Sequence, residues 1–143
     1  MEYKDLASVS GKGGLFKIIK PTKSGVILES LDAKKSKLVA GINHRVSILD
    51  EISIYTTDQE ESVPLTKILH KMHTEFDGDL GVDSGSSNEE LRSFFKHVLP
   101  THDEERVYPS DIKKVVSWYK NVLQNAAELL QTDGVAAEKS DEE

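Results

Sequence analysis

Short apolar runs separated by turn residues dominate the first part of the chain. Three of them, KLVAGI (37–42), RVSIL (45–49) and ISIYTT (52–57), follow the runs GLFKIIK (14–20) and GVILESL (25–31). The runs are rich in β-branched residues, and Pro and Gly punctuate them, which is typical of short strands joined by tight turns. We therefore expect residues 1–76 to form a small SH3-like β-barrel of five strands or, alternatively, an open, strongly bent antiparallel sheet.

The period of the apolar positions changes after residue 62. In the segment 63–76, Leu65, Ile68, Leu69, Met72 and Phe76 recur at the spacing of one helical face. This stripe predicts one amphipathic helix that closes a face of the sheet. The segment 77–87 is rich in Gly, Asp and Ser, and this composition favours a linker.

A second helical unit is expected over residues 88–131. Ser87 and Glu90 have the spacing of a capping box, the apolar positions up to Leu99 have helical spacing, and Pro100 ends the run. Ser110 is the expected cap of the longest helix, 111–130. The pattern predicts a helical hairpin or three-helix unit, followed by a disordered acidic tail at 132–143, and the fold class is α+β.

Apolar residues of the longest helix cover more than one side of it. Trp118, Val122 and Leu129 widen its main stripe, so they are the candidate protein-contact residues. The unit 88–131 is also close to the lower size limit for an independent core. We therefore expect it to dock on the N-terminal part, or on a second copy as a homo-oligomer.

Charge is unevenly distributed along a chain whose net charge is −7. Residues 1–49 carry nine Lys and Arg against four Asp and Glu, whereas residues 77–143 carry seven against fifteen. The acidic total argues against a dedicated duplex-DNA binder. The basic N-terminal part still offers a candidate polyanion-binding face, unless these side chains only keep the turns of a small sheet soluble. Its residues are Lys12, Lys17, Lys34, Lys35, Lys37 and Arg45.

The stretch SGKGG at 10–14 superficially resembles a phosphate-binding loop. A P-loop requires Ser or Thr after the lysine and a helix after the loop, but Gly13 follows Lys12 and the next run is strand-like. We interpret the stretch as a glycine-permitted turn before the first strand. The alternative is a loose anion nest with Lys12 on its rim.

Motifs for metal binding and catalysis fall short of a complete set. His70 and His73 lie one helical turn apart, but a tight zinc site needs further ligands, so we expect exposed helix histidines. The spacing of the aspartates in the segment 77–90 matches part of a calcium-binding loop, but the segment lacks the Gly and the final Glu of that loop. The chain has no cysteine, no nucleophile-elbow motif and no HExxH motif. We therefore assign no catalytic, cofactor or metal residues and predict a protein that is not an enzyme.

Four phrases of the sequence carry a resemblance: KDLASVSGKGGLFKII, GVILESLD, RVSILDEISIYTTDQEESVPLTKIL and SDIKKVVSWY. They resemble a family of small, uncharacterised, cytoplasmic bacterial proteins in which an N-terminal domain of unknown function is followed by a small helical domain. The resemblance covers residues 3–125. It implies a two-part organisation and transfers no activity.

The sequence as a whole predicts a non-enzymatic binding or adaptor protein with a protein partner. The alternative is RNA or single-stranded nucleic-acid binding through the basic N-terminal face. No cofactor is expected. No apolar run has the ~18 residues of a spanning helix, and the N-terminus lacks the pattern of a secretory signal. We therefore expect no membrane association and a cytoplasmic location.

Overall fold

A computed structural model describes residues 2–41, 43–59, 61–83 and 85–131. The predicted acidic tail, 132–143, lies outside the described residues. Five strands form one antiparallel sheet in the spatial order β4-β3-β2-β1-β5. Their bounds are β1 Leu6–Val9, β2 Phe16–Pro21, β3 Val26–Ser30, β4 Lys37–Ala40 and β5 Val46–Ile48.

The sheet is open, which confirms the α+β class and excludes the SH3-like barrel. A barrel closes only when its two edge strands pair, and here β4 and β5 are opposite edges. The run at 52–57, expected to be the fifth strand, supplies β6 (Ser53–Tyr55), which pairs with β7 (Ser62–Pro64) in a separate two-stranded sheet. The fifth position of the main sheet is filled instead by β1, a strand that the sequence pattern did not predict.

Two short 3-10 helices, Tyr3–Asp5 and Leu49–Glu51, and four α-helices complete the described structure. The α-helices are α1 Leu65–Phe76, α2 Asn88–Val98, α3 Pro109–Asn125 and α4 Ala127–Gln131. The predicted stripe of α1 is confirmed, since four of its five residues are buried and Phe76 packs against the core. The capping box of α2 is also confirmed. The Ser87 hydroxyl accepts from the Glu90 N–H at 3.1 Å, and the Glu90 carboxylate accepts from the Ser87 N–H at 2.9 Å.

The prediction for the longest helix was wrong at both ends. The helix begins at Pro109 rather than after Ser110, because a proline in the first turn needs no hydrogen-bond donor. Tyr108 is the N-cap residue, and its N–H donates to the Asp111 carboxylate at 3.0 Å. The helix stops at Asn125 because Ala126 leaves the helical conformation (φ −152°, ψ 44°), and α4 follows as a separate turn.

One large hydrophobic core joins the N-terminal part to the helices. Leu6, Leu15, Leu31 and Leu49 belong to the same cluster as the apolar faces of α1 to α4. Leu80, in the segment predicted as a linker, is only 5% exposed and lies in this core as well. A smaller cluster is centred on Val9, Phe16, Leu28 and Ala40 in the strands. The domain limits at residues 76 and 88 stay a prediction.

Asn121 fixes α3 against the sheet part of the molecule. Its side-chain oxygen accepts from the Leu15 N–H at 3.2 Å, and its side-chain nitrogen donates to the Leu31 carbonyl at 3.1 Å. The Leu31 N–H in turn donates to the Leu15 carbonyl at 2.9 Å. This network sets the position of α3 beside the start of β2 and the end of β3.

Candidate functional site

A groove of about 660 Å³ lies between the sheet and the first half of α3. One wall is formed by β1 and the loop 10–14, and the other by α3 residues 111–118; residues 52–55 close one side. Its volume falls in the range of roughly 300–1,000 Å³ that is usual for ligand pockets. The groove is therefore large enough to hold a small ligand or a short extended segment.

The loop 10–14 connects β1 to β2 and shapes the first wall. The Ser10 N–H donates to the Arg45 carbonyl and the Lys12 N–H to the Val9 carbonyl, both at 2.9 Å. Gly11 and Gly14 adopt left-handed conformations, with φ of +86° and +74°. The predicted glycine-permitted turn is thus confirmed, although the strand that it precedes is the second of the sheet rather than the first.

Cations line both walls of the groove. Lys12 and Arg45 belong to the sheet side, and Lys113 and Lys114 belong to α3. Among the described residues, none of the ion pairs involves any of these four side chains. The carboxylate that lines the groove, Asp111, accepts the N–H of the helix cap. The groove therefore carries a net positive charge on an acidic protein.

The surface between the walls combines hydroxyl groups with apolar side chains. Ser8 and Ser47 are paired across β1 and β5, and Ser117 lies opposite on α3. Within the described part of the chain, these three hydroxyls make no hydrogen bond to protein, so they are available to a ligand. The half-buried Trp118 adds apolar surface. The arrangement can hold an anionic ligand that also has an apolar part.

The predicted polyanion face is divided between two places in the structure. Lys12 and Arg45 line the groove, whereas Lys17 and Lys37 flank Glu29 in a cross-strand row on β2, β3 and β4. The Lys37 ammonium lies 3.0 Å from the Glu29 carboxylate. This hydrogen bond lowers the pKa of Glu29, and the charges of the nearby lysines lower it further. The row therefore carries its own counter-charge.

Asp32 orders the turn that contains the two remaining predicted lysines. Its carboxylate accepts from the Ser30 hydroxyl at 2.8 Å and from the backbone N–H groups of Lys34 and Lys35 at 3.0 Å. The Ser30 hydrogen bond is the main reason that the pKa of Asp32 is lowered. Lys34 and Lys35 thus belong to an ordered turn outside the groove.

The structure separates the three candidate protein-contact residues. Trp118 lines the groove, but Val122 is 0% exposed and Leu129 is 5% exposed in the core. Both are covered because α3 and α4 pack against the rest of the helical unit and against α1. A partner can therefore reach Trp118 but not Val122 or Leu129.

The expectation of exposed histidines on α1 was wrong. His70 is 8% exposed and meets the ring of Tyr3 edge-on at 5.6 Å between centroids. His73 is half-buried, and its Nδ1 lies 2.8 Å from the Tyr119 hydroxyl. Across the described ranges, no three His, Asp or Glu side chains are grouped so that they could hold a metal ion. The same residues contain no helix that is both long and apolar enough to cross a bilayer.

Sequence reasoning missed Lys113 and Lys114 as site residues. They lie on the polar side of a helix whose charge pattern is ordinary, about a hundred positions from Lys12. Only the packing of α3 beside the loop 10–14 brings them into the groove. The alternative interpretation of SGKGG as an anion nest indicated the loop side of the groove, but it gave no indication of α3.

Comparison with known proteins identifies both parts of the chain. The family model described as a domain of unknown function (DUF5606) matches residues 4–49, and the one described as a domain of unknown function (DUF6852) matches residues 52–123. A solution NMR structure of a structural genomics target from Bacteroides vulgatus is 35% identical, with a TM-score of 0.71. The match covers 87% of this chain and 88% of that one. No curated protein matches the chain.

These matches confirm the resemblance to a two-part family of uncharacterised proteins. The two models adjoin between β5 and β6, so α1 falls in the second matched segment. The chain belongs to the family of the DUF6852 domain of unknown function, here preceded by a DUF5606 domain.

Proposed function

We propose that this protein is a non-enzymatic binding or adaptor protein whose groove holds an extended acidic segment of a protein partner. One observation carries the proposal: four cations without carboxylate partners face one concave surface of a chain with a net charge of −7. A positive groove on an acidic surface attracts complementary segments and repels other acidic proteins.

The strands beside the groove favour an extended protein segment. β5 is an edge strand of the sheet and contributes Ser47 to the groove. An edge strand has unpaired backbone groups that can bind an added strand through main-chain hydrogen bonds. Side chains of such a segment would then reach the α3 wall, where Lys114 and Trp118 lie one helical turn apart.

The second candidate function is binding of RNA or single-stranded nucleic acid. It is favoured by Lys12 and Arg45, two members of the predicted polyanion face, which lie in the groove near Trp118. Stacking of bases requires free aromatic faces. Tyr55, the other aromatic residue of the groove, already has the Arg106 guanidinium over its ring at 4.3 Å from the centroid. We therefore rank nucleic acid below a protein segment.

The proposal retains two expectations from the sequence. We place the protein in the cytoplasm. We also retain self-association through the helical part, for which Trp118 is the accessible candidate residue, as a competing use of the same surface.

Site-specific photo-crosslinking in the native cells tests the proposed function. A benzophenone amino acid replaces Tyr55, which lines the groove and is 51% exposed. The matched control replaces Val39, which is 63% exposed on β4 at the opposite edge of the sheet. Each variant is also made with Lys12→Glu and Arg45→Glu together.

We expect a protein adduct at position 55 that is absent at position 39 and is lost in the charge-reversed variant. A nuclease-sensitive adduct with the same dependence on charge would establish the second candidate instead. An adduct with a second copy of the chain would indicate self-association. Equal labelling at both positions, or labelling that ignores the charge reversal, would refute the groove as the binding site.

A further inference from the structure

Gly13 is a glycine that neither backbone conformation nor packing requires. Its φ lies outside the left-handed region, and a Cβ built on it would meet no atom within 4 Å. Gly25 is the opposite case, because a Cβ there would lie 1.9 Å from the Ala40 carbonyl oxygen. A glycine with open space in front of it, at the wall of a groove, permits a ligand to approach the backbone closely.

The backbone beside Gly13 is rich in uncommitted donors. The N–H groups of Gly11, Gly13 and Gly14 have no hydrogen-bond partner among the described residues. Successive N–H groups in a turn that includes left-handed residues form concavities that bind anions. Hydrogen bonds within the turn, from Lys12 to Val9 and from Ser10 to Arg45, hold these donors in place without using them.

Two cations and two hydroxyl groups surround this loop. Lys12 lies within it, the Arg45 carbonyl is bonded to it, and Ser8 and Ser47 lie on the adjacent strands. A phosphoryl group has about two negative charges and three strong acceptor oxygens, whereas a carboxylate has one charge and two oxygens. The number of free donors and cations at this end of the groove therefore fits a phosphoryl group better than a carboxylate.

We infer that the loop 10–14, with Lys12 and Arg45, is a phosphoryl-binding subsite that reads a phosphorylated side chain in the partner's acidic segment. The inference rests on the proposed function and specifies its ligand. It differs from nucleotide binding by a P-loop, because β2 rather than a helix follows the loop and no Ser or Thr follows Lys12. The binding is reversible recognition without transfer of the phosphoryl group.

A phosphopeptide fits this site better than an RNA strand. Lys12, Arg45, Lys113 and Lys114 line one groove, whereas the carboxylates of Glu29 and Asp32 interrupt the set formed by Lys17, Lys34, Lys35 and Lys37. A long polyanion that extended along the helical side would also meet a segment, 77–143, with a net charge of −8, which repels it. A short segment with a single phosphoryl group avoids this repulsion.

The test is an NMR titration of the isotope-labelled full chain with three probes. These are the acidic peptide DDSDD, the same peptide phosphorylated at its serine, and a short oligouridine. The variants are Gly13→Ala and its control Gly41→Ala, a loop glycine whose added Cβ would make an ordinary contact at 3.8 Å with the Ser24 carbonyl oxygen. Neither substitution needs a left-handed conformation, so both variants are expected to fold.

We expect the phosphopeptide to bind about tenfold more tightly than the unmodified peptide and to shift the amide signals of Gly11, Gly13 and Gly14. Gly13→Ala keeps the backbone N–H but places a methyl group in the space through which the phosphoryl group approaches. It should therefore weaken phosphopeptide binding about tenfold, as the loss of one charge-assisted hydrogen bond would, and leave the unmodified peptide unaffected. Gly41→Ala should change neither affinity.

The possible failures separate the two proposals. Equal binding of both peptides in the groove, unaffected by Gly13→Ala, would overturn the phosphoryl subsite and leave the proposed function standing. Oligouridine that binds more tightly than the phosphopeptide at the same amides would overturn the inference in favour of RNA. No groove signal with any of the three probes would overturn both.

Discussion

Asn121 connects the two halves of the protein through a single side chain. In Asn121→Ala, the Leu15 N–H and the Leu31 carbonyl lose their side-chain partner at a part-buried position. Unsatisfied groups of this kind cost about 1–3 kcal/mol each, so we expect a loss of roughly 2–3 kcal/mol in the free energy of unfolding, measured by urea denaturation.

Asn125→Ala is the matched control for this prediction. Asn125 is also on α3, and its exposed side chain donates to the Asn121 carbonyl at 3.1 Å within the same helix. A surface substitution of this kind changes stability by at most about 0.5 kcal/mol. Equal losses in the two variants would show that the bonds of Asn121 to the sheet do not stabilise the fold.

Tyr3 predicts how stability changes at alkaline pH. Burial raises the pKa of its phenol above the ordinary value of about 10, and the hydroxyl donates to the Leu129 carbonyl at 3.4 Å. Below pH 10 the phenol is neutral in both the folded and the unfolded chain. Above it, the unfolded chain loses the proton first, so stability falls as pH rises towards the folded-state pKa.

Urea denaturation at pH 9 and pH 11 measures this effect. Between pH 9 and pH 11, we expect the free energy of unfolding to fall by roughly 1 kcal/mol more in the wild type than in Tyr3→Phe. Burial also raises the pKa of Tyr119, so the variant should retain part of the alkaline loss. Identical pH dependence in the two proteins would contradict the burial of the Tyr3 phenol.

At the scale of elements, Gly25 lies in the turn before β3, where the backbone passes very close to the end of β4. A methyl group at Gly25 would collide with the Ala40 carbonyl, whose oxygen would lie 1.9 Å and whose carbon 2.8 Å from the new atom. Gly25→Ala should therefore push β4 away from β3 and lower the free energy of unfolding by about 1–3 kcal/mol. Gly41→Ala should leave the free energy of unfolding almost unchanged. Faster amide hydrogen exchange in β4 of the Gly25 variant would show that β4 is the strand that is destabilised.

The elements also show how much of this fold the sequence reveals. The helical stripe of α1 and the capping box of α2 are local patterns, and both were predicted correctly. β1 was missed because Leu6, Ala7 and Val9 are all buried, which removes the alternation of apolar and polar residues. β7 was missed because three residues ending in Pro64 are too few to show a period. With β1 unrecognised, the sequence favoured the wrong closure of the sheet.

The whole molecule determines the candidate site. Lys12 and Arg45 lie in a segment with a net charge of +5, whereas Lys113 and Lys114 lie in one with a net charge of −8. The sequence suggested one basic face from neighbouring lysines, yet four of those six residues lie outside the groove, near the carboxylates of Glu29 and Asp32. Long-range packing determines which cations share the groove, and no local pattern encodes that selection.

The helical unit depends on the rest of the chain for its stability. The large core includes Leu6, Leu15 and Leu31 from the sheet part together with the buried faces of α2 and α3, so the fragment 88–131 would expose a large apolar area if isolated. Its length is already near the lower limit for an independent core. We expect this fragment to show little helix by circular dichroism at micromolar concentration and no cooperative melt, whereas the full chain melts in a single transition. A cooperative melt of the monomeric fragment would show that the helices fold without the sheet, and the groove would then lie between two independently folding units.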